Sequence, residues 1–376
     1  MNKTPCMRLQ DLVGLLNRHY PQNLAEDWDN VGLQVGDLKQ EITKVLVALE
    51  PTIATVQTAI KLQCQALITH HPLIFKPLKK ITPSDETGQI LFSAIRNNLA
   101  IISVHTNLDH AANGLNDWLA QALHLVNYKP LLLPKAGNLL KLVVFVPHNN
   151  AETIAAALFK AGAGHVGHYD HCSFRSDGTG SFRATEGCTP HIGTIGSDEQ
   201  VNEIRLETIV PRALINKVVE KMIKVHPYEE VAYDLLPLDN RRNDIGLGRI
   251  GYLETPQQLD QFAERCKQYL GCNTLRMVAA GDTPIRKVAV CGGSGAQLIH
   301  EAARQGADVL VTGDIKYHEA MSARAIGLAL IDAGHFATEQ LMANRLAKKL
   351  AKESQQRSWS IDYIVATDEI DPFSNI

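Results

Sequence analysis

The chain has 376 residues, more than one hydrophobic core usually holds, so we expect two or three domains. Its 45% hydrophobic and 20% charged residues are typical of a soluble globular protein. The formal charge of −3, with no dense Lys/Arg run, gives no electrostatic reason to expect a nucleic-acid partner. No apolar stretch reaches membrane-spanning length and the N-terminal residues lack the apolar region of a signal peptide, so no membrane partner is expected.

The cysteines are odd in number and scattered along the chain, and no two of them form a CxxC motif. This pattern favours free thiols in a reducing compartment over a disulfide framework, and we therefore expect a cytoplasmic protein. The seven are Cys6, Cys64, Cys172, Cys188, Cys266, Cys272 and Cys291.

Three apolar runs in the first third of the chain, at 44–50, 67–69 and 99–102, predict buried strands. Helical patterns lie between them, and an amphipathic helix is predicted at 115–123. Strands that alternate with helices imply a parallel sheet covered on both faces, which is the α/β class.

The same pattern returns near the C-terminus, with strands predicted at 287–290, 310–312 and 328–331 and an amphipathic helix at 340–347. A separation of 243 residues relates Lys44 to Lys287 and Thr69 to Thr312, so the β-α-β stretch repeats without a gap. We therefore expect two similar α/β/α halves that form one core.

The segment between the halves has a different pattern. Strands are predicted at 142–147, 201–210 and 231–236, helices at 151–161 and 211–223, and a hairpin with its turn at 176–180. This β-α-β-β-α-β order is the ferredoxin-like arrangement. The predicted domains are therefore a first half at 1–135, an inserted ferredoxin-like α+β domain at 140–238 and a second half at 245–376.

Five metal-ligand candidates follow the predicted strands: His70, His71, Asp109, His335 and Glu339. Ligands collect outside the carboxyl ends of strands in open parallel sheets, and a helical segment would place His335 and Glu339 on one face. Histidine and carboxylate together accept Zn, Mn, Fe, Co or Ni. Five such ligands are too many for one tetrahedral ion with an open position, so we predict two divalent ions bridged by a carboxylate.

Other polar residues allow two interpretations. His105 and His318 are candidates for proton transfer, although a supporting or packing role is the more ordinary one. Asp29 and Asn30 follow Trp28 in a polar loop, which either forms an Asx turn with a core tryptophan or lines the pocket.

Two further patterns suggest separate sites. The glycine-rich segment 291–295 lacks a complete nucleotide-binding motif, but its backbone amides could hold a phosphate or carboxylate. The inserted segment contains a group of histidines and cysteines that we interpret as strand and loop residues rather than a zinc site. They are His165, His168, His171, Cys172, Cys188 and His191.

Seven motifs resemble the NIF-three-like family, whose members are often named homologs of type 2 GTP cyclohydrolase I. They are EDWDNVGLQ at 26–34, ITHHPLIF at 68–75, SVHTNLD at 103–109, VTGDIKYH at 311–318 and DAGHFATE at 332–339, with GTGSF at 178–182 and VHPYEEV at 225–231 in the insertion. The resemblance covers essentially the whole chain. It implies a toroidal homohexamer with two divalent metals per subunit and a PII- or CutA-like insertion.

The family's metal ligands fall on the five residues already selected. The resemblance implies that His70 and Asp109 hold one ion, that His71 and His335 hold the other, and that Glu339 bridges them. Consecutive strand residues point to opposite faces, so His70 and His71 can serve one site only if the strand ends before them. Pro72 favours such an ending.

Two hypotheses of function follow. The first is a metal-dependent hydrolase that uses a metal-activated water, with His105 or His318 as proton shuttle. The resemblance suggests purine-ring opening of GTP with formate release. A nucleotide or another phosphorylated small molecule would be the substrate, and phosphoester or amide hydrolysis needs the same activated water. The second is a non-catalytic metal-binding scaffold or regulator in which the insertion senses or gates.

Overall fold

The computed structural model describes residues 7–134, 139–167, 169–240 and 242–374. The chain divides into two compact units. We call Met1–Leu133 together with Asn243–Ile376 the core unit, and Pro134–Arg242 the inserted unit. No helix within the described residues is both long and apolar enough to cross a membrane.

The N-terminal part of the core unit alternates strands and helices, as predicted. Its elements are β1 (Met7–Arg8), α1 (Leu9–His19), β2 (Gly32–Val35), β3 (Glu41–Ile42), β4 (Lys44–Ala48), α2 (Ile53–Lys61), β5 (Ala66–Thr69), α3 (Glu86–Arg96), β6 (Ala100–Ser103), α4 (Thr106–His110), α5 (Leu115–Ala122) and β7 (Val126–Leu132). Side chains fix two helix starts, since Thr52 caps α2 by accepting from Thr55 N and Asp85 caps α3 by accepting from Gly88 N.

The inserted unit follows, and the chain then returns to the core unit. The inserted unit contains β8 (Leu139–Pro147), α6 (Ala151–Ala161), β9 (Ser173–Arg183), β10 (Asp198–Pro211), α7 (Ile215–Val225) and β11 (Tyr233–Leu238). The remaining core elements are β12 (Leu247–Gln257), α8 (Leu259–Leu270), β13 (Arg276–Val278), β14 (Ile285–Ser294), α9 (Ile299–Arg304), β15 (Val309–Gly313), α10 (Tyr317–Ala325), β16 (Ala329–Asp332), α11 (His335–Glu339), α12 (Leu341–Gln356) and β17 (Asp362–Val365).

Two sheets form the centre of the core unit. The first has the order β17-β4-β5-β6-β2, and the second has the order β13-β16-β15-β14-β12-β7. The predicted strands β4, β5 and β6 are parallel to one another, as are β14, β15 and β16. The prediction of parallel repeats is confirmed, and the mixed α/β class with it.

Both sheets are packed on both faces, because alternate side chains of each strand point to opposite sides. In β4, Val45 and Val47 contribute to one hydrophobic cluster, and Leu46 and Ala48 to another. The strands of the second sheet divide between two clusters in the same way. Burial on both faces explains why the central strands are nearly continuous runs of Val, Ile and Leu.

The two halves exchange strands at their outer edges, which the sequence pattern did not predict. The C-terminal strand β17 pairs in parallel with β4 of the first sheet. Conversely, β7 from the N-terminal half pairs with β12 of the second sheet. Each sheet also has an antiparallel edge strand, β2 on β6 and β13 on β16. Each half therefore completes its sheet with a strand from the other half.

The inserted unit has one antiparallel sheet with the order β11-β8-β10-β9. Helices α6 and α7 bury their apolar sides with alternate residues of β8 and β10, among them Leu142, Val144 and Leu206. All six predicted elements of this segment are present in the predicted order.

The turn predicted at 176–180 is wrong, because these residues lie inside β9 and pair with β10. The glycines have another use there. A side chain at position 180 would meet Glu203 of the neighbouring strand, since a Cβ atom would lie 2.2 Å from Glu203 Oε2. The connection between β9 and β10 runs through residues 184–197 instead.

The cysteines are free, as predicted, at all six described positions. Cys6 lies outside the described residues.

Candidate metal centre

The site begins where the parallel strands end. Strand β5 stops at Thr69, and the amides of His70 and His71 both donate to the carbonyl of Leu49, at 3.2 and 3.1 Å. Two successive amides on one carbonyl break the alternation of a strand. Both histidine rings can therefore turn towards one site, as the placement of Pro72 suggested.

The other candidates also follow strand ends. Asp109 lies in α4, just after β6, and is buried. His335 and Glu339 are the first and last residues of the short helix α11, after β16, so their spacing of four places them together. The backbone of Gly334 has a φ of +88° at the start of this helix, which favours glycine there.

The structure brings all five predicted residues together around the Glu339 carboxylate. Glu339 Oε2 lies 3.2 Å from His71 Nε2 and 3.1 Å from His335 Nε2, and Oε1 lies 3.6 Å from His70 Nε2. Asp109 Oδ1 is 3.7 Å from the same His70 nitrogen. The repeated halves therefore supply one shared site, with ligand candidates from both sheets.

Each of these histidines is oriented by a partner at its other ring nitrogen. His70 Nδ1 is 2.8 Å from the carbonyl of Val104, His71 Nδ1 is 2.6 Å from Glu50, and His335 Nδ1 is 2.6 Å from Asp314. These partners accept a hydrogen bond from Nδ1–H, so Nε2 is the nitrogen that each ring offers to a metal ion. Metal-binding histidines are typically held in this way.

The buried atoms fit a divalent cation. Among the described residues, six buried side-chain atoms lack a hydrogen-bond partner, and three of them are His70 Nε2, Asp109 Oδ1 and Glu339 Oε2. Polar atoms of His70, Asp109 and Glu339 are thus buried without a hydrogen-bond partner, which is costly. A metal ion bound by these atoms would remove the cost.

The pKa values of Glu339, His71 and Asp109 are all shifted by burial and by the charges around them. Burial would raise the pKa of Glu339, but the nearby rings of His70, His335 and His71 hold it well below its ordinary value. Burial lowers the pKa of His71, yet Glu339 and Glu50 outweigh it and raise the pKa to about 10. Burial and the Glu339 charge raise the pKa of Asp109 well above its ordinary value. The electrostatic field therefore favours a cation beside Glu339.

His105 joins this cluster, whereas His318 does not. The ring of His105 lies 5.1 Å from that of His70 and 5.2 Å from that of His71, and its Nδ1 is 2.9 Å from Asp29. His318 is exposed on α10, where its described ring contact is with Tyr317. Of the two candidates for proton transfer, the structure places His105 at the site.

Two groups of three residues within the described chain have ligand atoms close enough to share an ion. One is His70, His71 and His105, and the other is His71, His335 and Glu339. Neither includes the histidines and cysteines of the insertion that were described, and His168 lies outside the described residues.

The backbone of the glycine-rich segment 291–295 packs against the ligand candidates, and two of its amides already have hydrogen-bond acceptors. Gly292 N donates to Asn116 and Gly293 N donates to Thr338, so these two amides are already used. A Cβ atom at position 293 would lie 2.3 Å from Glu339 Oε1 and 3.1 Å from His335 Nε2. Glycine is therefore needed because the backbone passes directly against the ligand candidates, and the idea of an anion cradle at these two amides is wrong.

Sequence reasoning missed the carboxylates that orient the histidines. Glu50 follows β4 and Asp314 follows β15, so each stands at a strand end beside a predicted ligand. Asp29, a loop candidate, accepts from His105 and Thr106 and has a fully buried side chain. Burial would raise the pKa of Asp29, but these hydrogen bonds lower it to about 2. Their positions at the same strand ends as the predicted ligands were the sequence signal that could have identified Glu50 and Asp314.

We expect Glu50→Ala to weaken metal binding about 10- to 100-fold, because His71 loses the partner that orients its ring and raises its basicity. Competition with a chromogenic chelator measures this affinity. Glu254→Ala, which removes an exposed carboxylate from β12, is the matched control and should bind metal as the wild type does. Equal affinity in the two variants would show that Glu50 has no influence on the site.

Comparison with known proteins gives a consistent picture. The family model of Duf34/NIF3 (NGG1p interacting factor 3) matches residues 7–372. The chain is 42% identical over 367 residues to a protein of Halalkalibacterium halodurans named "GTP cyclohydrolase 1 type 2 homolog", and 98% of each chain is covered. It is 40% identical to a protein of the same name from Bacillus subtilis, with 97% of this chain and 98% of that protein covered.

Solved structures agree. A Bacillus cereus protein related to NIF3 matches with a TM-score of 0.89 and 43% identity, covering 100% of both chains. A Staphylococcus aureus protein matches with a TM-score of 0.77 and 31% identity, covering 99% of both. The resemblance found in the motifs is thus confirmed along the whole chain, and the protein belongs to the DUF34/NIF3 family.

Proposed function

We propose that this protein is a metal-dependent hydrolase with a dinuclear centre. The observation that carries the proposal is the convergence of three histidine Nε2 atoms on one buried carboxylate, with each Nδ1 held by an acceptor. The Glu339 carboxylate suits a bridge between two ions, because one oxygen faces His70 and the other faces His71 and His335. In this proposal His70 and Asp109 hold one ion, His71 and His335 hold the other, and Glu339 bridges.

Two divalent ions of Zn, Mn, Fe, Co or Ni would polarise the substrate and lower the pKa of a water molecule towards neutrality. His105 would move the proton, because its Nδ1 is held by Asp29 and its ring lies beside those of His70 and His71. Asp29 keeps its charge at neutral pH because, despite its burial, hydrogen bonds from His105 and Thr106 hold its pKa at about 2, and its carboxylate orients the His105 ring. His318 lacks such a placement and is the weaker candidate.

The proposed substrate is a nucleotide or another phosphorylated small molecule. The two bacterial relatives carry the name of a GTP cyclohydrolase homolog, so purine-ring opening of GTP is the named candidate. Phosphoester or amide hydrolysis would use the same activated water. The alternative is a non-catalytic metal-binding scaffold or regulator, in which the inserted unit is a sensing module or gates access to the site.

The discriminating experiment uses the full-length protein, stripped of metal and reconstituted with Mn, Zn or Fe in turn. It is then assayed for turnover of GTP and of generic phosphoesters. A hydrolase should show turnover that disappears with a chelator and returns with metal. Tight metal binding without turnover of any substrate would favour the scaffold.

We also infer that the inserted unit is a ferredoxin-like domain, close to the predicted range 140–238, between halves at 1–135 and 245–376. The order β-α-β-β-α-β and a sheet with its first and third strands in the centre support this assignment. Its own hydrophobic cluster gives it a separate core. The free thiols described above suit the cytoplasm.

We further propose that the chain forms a toroidal homohexamer, as the family resemblance implies. Light scattering across micromolar concentrations should return about six times the subunit mass of 41.3 kDa. A mass equal to that of one subunit would refute the assembly without affecting the assignment of the metal ligands.

A further inference from the structure

Two exposed aromatic rings stand beside the metal centre. Trp28 is 58% exposed and Phe75 is 47% exposed, and their ring centroids lie 5.7 Å apart at an angle of 54°. Trp28 also meets the ring of His105 edge-on, at 6.0 Å. Because His105 contacts His70 and His71, the aromatic pair is separated from the ligand candidates by one ring.

The segments that carry these rings are held in place, although the rings themselves are open to solvent. Before Trp28, Glu26 N donates to Thr106, and after it the Asp29 carboxylate accepts from His105 and Thr106. Before Phe75, Ile74 N donates to Gln34, at 2.9 Å. The interpretation of Trp28 as a core residue is therefore wrong, because its loop is anchored while its side chain remains outside the core.

We propose that Trp28 and Phe75 bind the planar heteroaromatic ring of a small-molecule substrate and present it to the metal centre. This inference rests on the proposed function, since it assigns the substrate class of that site. Stacking on a preformed aromatic face orients a planar ring at little entropic cost. The continuity from Trp28 through His105 to His70 and His71 favours such a ligand over a separate macromolecule.

The test measures binding rather than turnover. Metal-loaded, full-length protein is titrated calorimetrically with guanosine 5′-monophosphate and, separately, with ribose 5-phosphate, which has the phosphorylated sugar without the ring. Trp28→Leu and Phe75→Leu should each weaken binding of the nucleotide about tenfold and leave the affinity for ribose 5-phosphate unchanged. Trp28→Phe, which keeps an aromatic face, should retain most of the affinity.

The control is Phe174→Leu, which removes a comparably exposed ring from β9 of the inserted unit and should bind as the wild type does. Metal content should be the same in all variants. Equal affinity of wild type and Trp28→Leu for the nucleotide, or equal affinity of the wild type for both ligands, would overturn the proposal. A changed mass of Trp28→Leu in light scattering would also overturn it, because a second copy of the chain would then be the occupant.

The outcomes separate this inference from the hydrolase. A protein that turns over phosphoesters but does not distinguish the nucleotide from ribose 5-phosphate keeps the hydrolase and refutes the ring site. A protein that binds the nucleotide through Trp28 and turns over no substrate keeps the ring site and refutes the hydrolase.

Discussion

Glu339→Ala should lose both metal ions and remain folded. The Glu339 carboxylate is the group on which the other ligand candidates converge, with Oε1 towards His70 and Oε2 towards His71 and His335. Its removal takes away the proposed bridge and a buried carboxylate beside three histidine rings. His71→Ala, by contrast, removes one ligand candidate, leaves Glu339 in place and should release at least one ion.

Elemental analysis of the purified variants measures the effect, and circular dichroism shows whether the fold is kept. Glu254→Ala serves again as control, because that carboxylate is exposed on β12. Full metal occupancy in Glu339→Ala would rule out a bridging carboxylate and with it the proposed two-metal geometry. Selective loss of one ion would show that Glu339 belongs to a single ion.

The convergence of the five candidates could be predicted from the repeated β-α-β pattern of the sequence. Each candidate follows an apolar run, and the carboxyl ends of parallel strands meet at one edge of a sheet. The repeat gives both halves such strand ends, with His70 and His71 after β5 in one half and His335 after β16 in the other, so these residues could be expected to approach.

The hydrogen-bond partners could not be predicted in the same way. Glu50 and Asp314 are separated from the histidines that they orient by 21 residues each, and ordinary surface carboxylates look the same in a sequence. The direction of a ring nitrogen depends on tertiary packing that no local pattern encodes. The same holds for β17, whose apolar pattern does not say which of the two sheets it joins.

The false turn in β9 has a local cause. Asp177 and Gly178 form a dipeptide that is typical of hairpins, and glycine at 180 strengthens that pattern. In the structure Gly180 makes room for Glu203 instead, a contact from a strand that lies beyond the apparent turn. A glycine required by a distant side chain cannot be distinguished by sequence from a glycine required by a turn.

A buried arginine joins the two halves behind the site. Arg249 in β12 is 1% exposed, and its Nε donates to Asp117 in α5. Its two terminal nitrogens donate to backbone carbonyls, Nη1 to Gly246 and Gly248 at 2.7 and 2.8 Å and Nη2 to Ala111 at 2.9 Å. The other carboxylate oxygen of Asp117 accepts from the backbone amide of Asn113.

Arg249→Met should lower the free energy of unfolding of the core unit by about 3 to 5 kcal/mol, because it takes the guanidinium away from a buried carboxylate and the donor away from three carbonyls. Denaturant titration followed by tryptophan fluorescence measures this quantity. All three tryptophans, Trp28, Trp118 and Trp359, lie in the core unit, so the signal reports on that unit alone.

The matched control is Arg304→Met, which breaks an ion pair with Glu301 on the exposed side of α9. Solvent already screens that pair, so its loss should change the free energy of unfolding far less than the loss of Arg249. Asp117→Asn tests the same pair from the other side, and combining it with Arg249→Met should cost less than the sum of the single changes. Additive effects, or equal effects of Arg249→Met and Arg304→Met, would show that the buried pair does not hold the halves together.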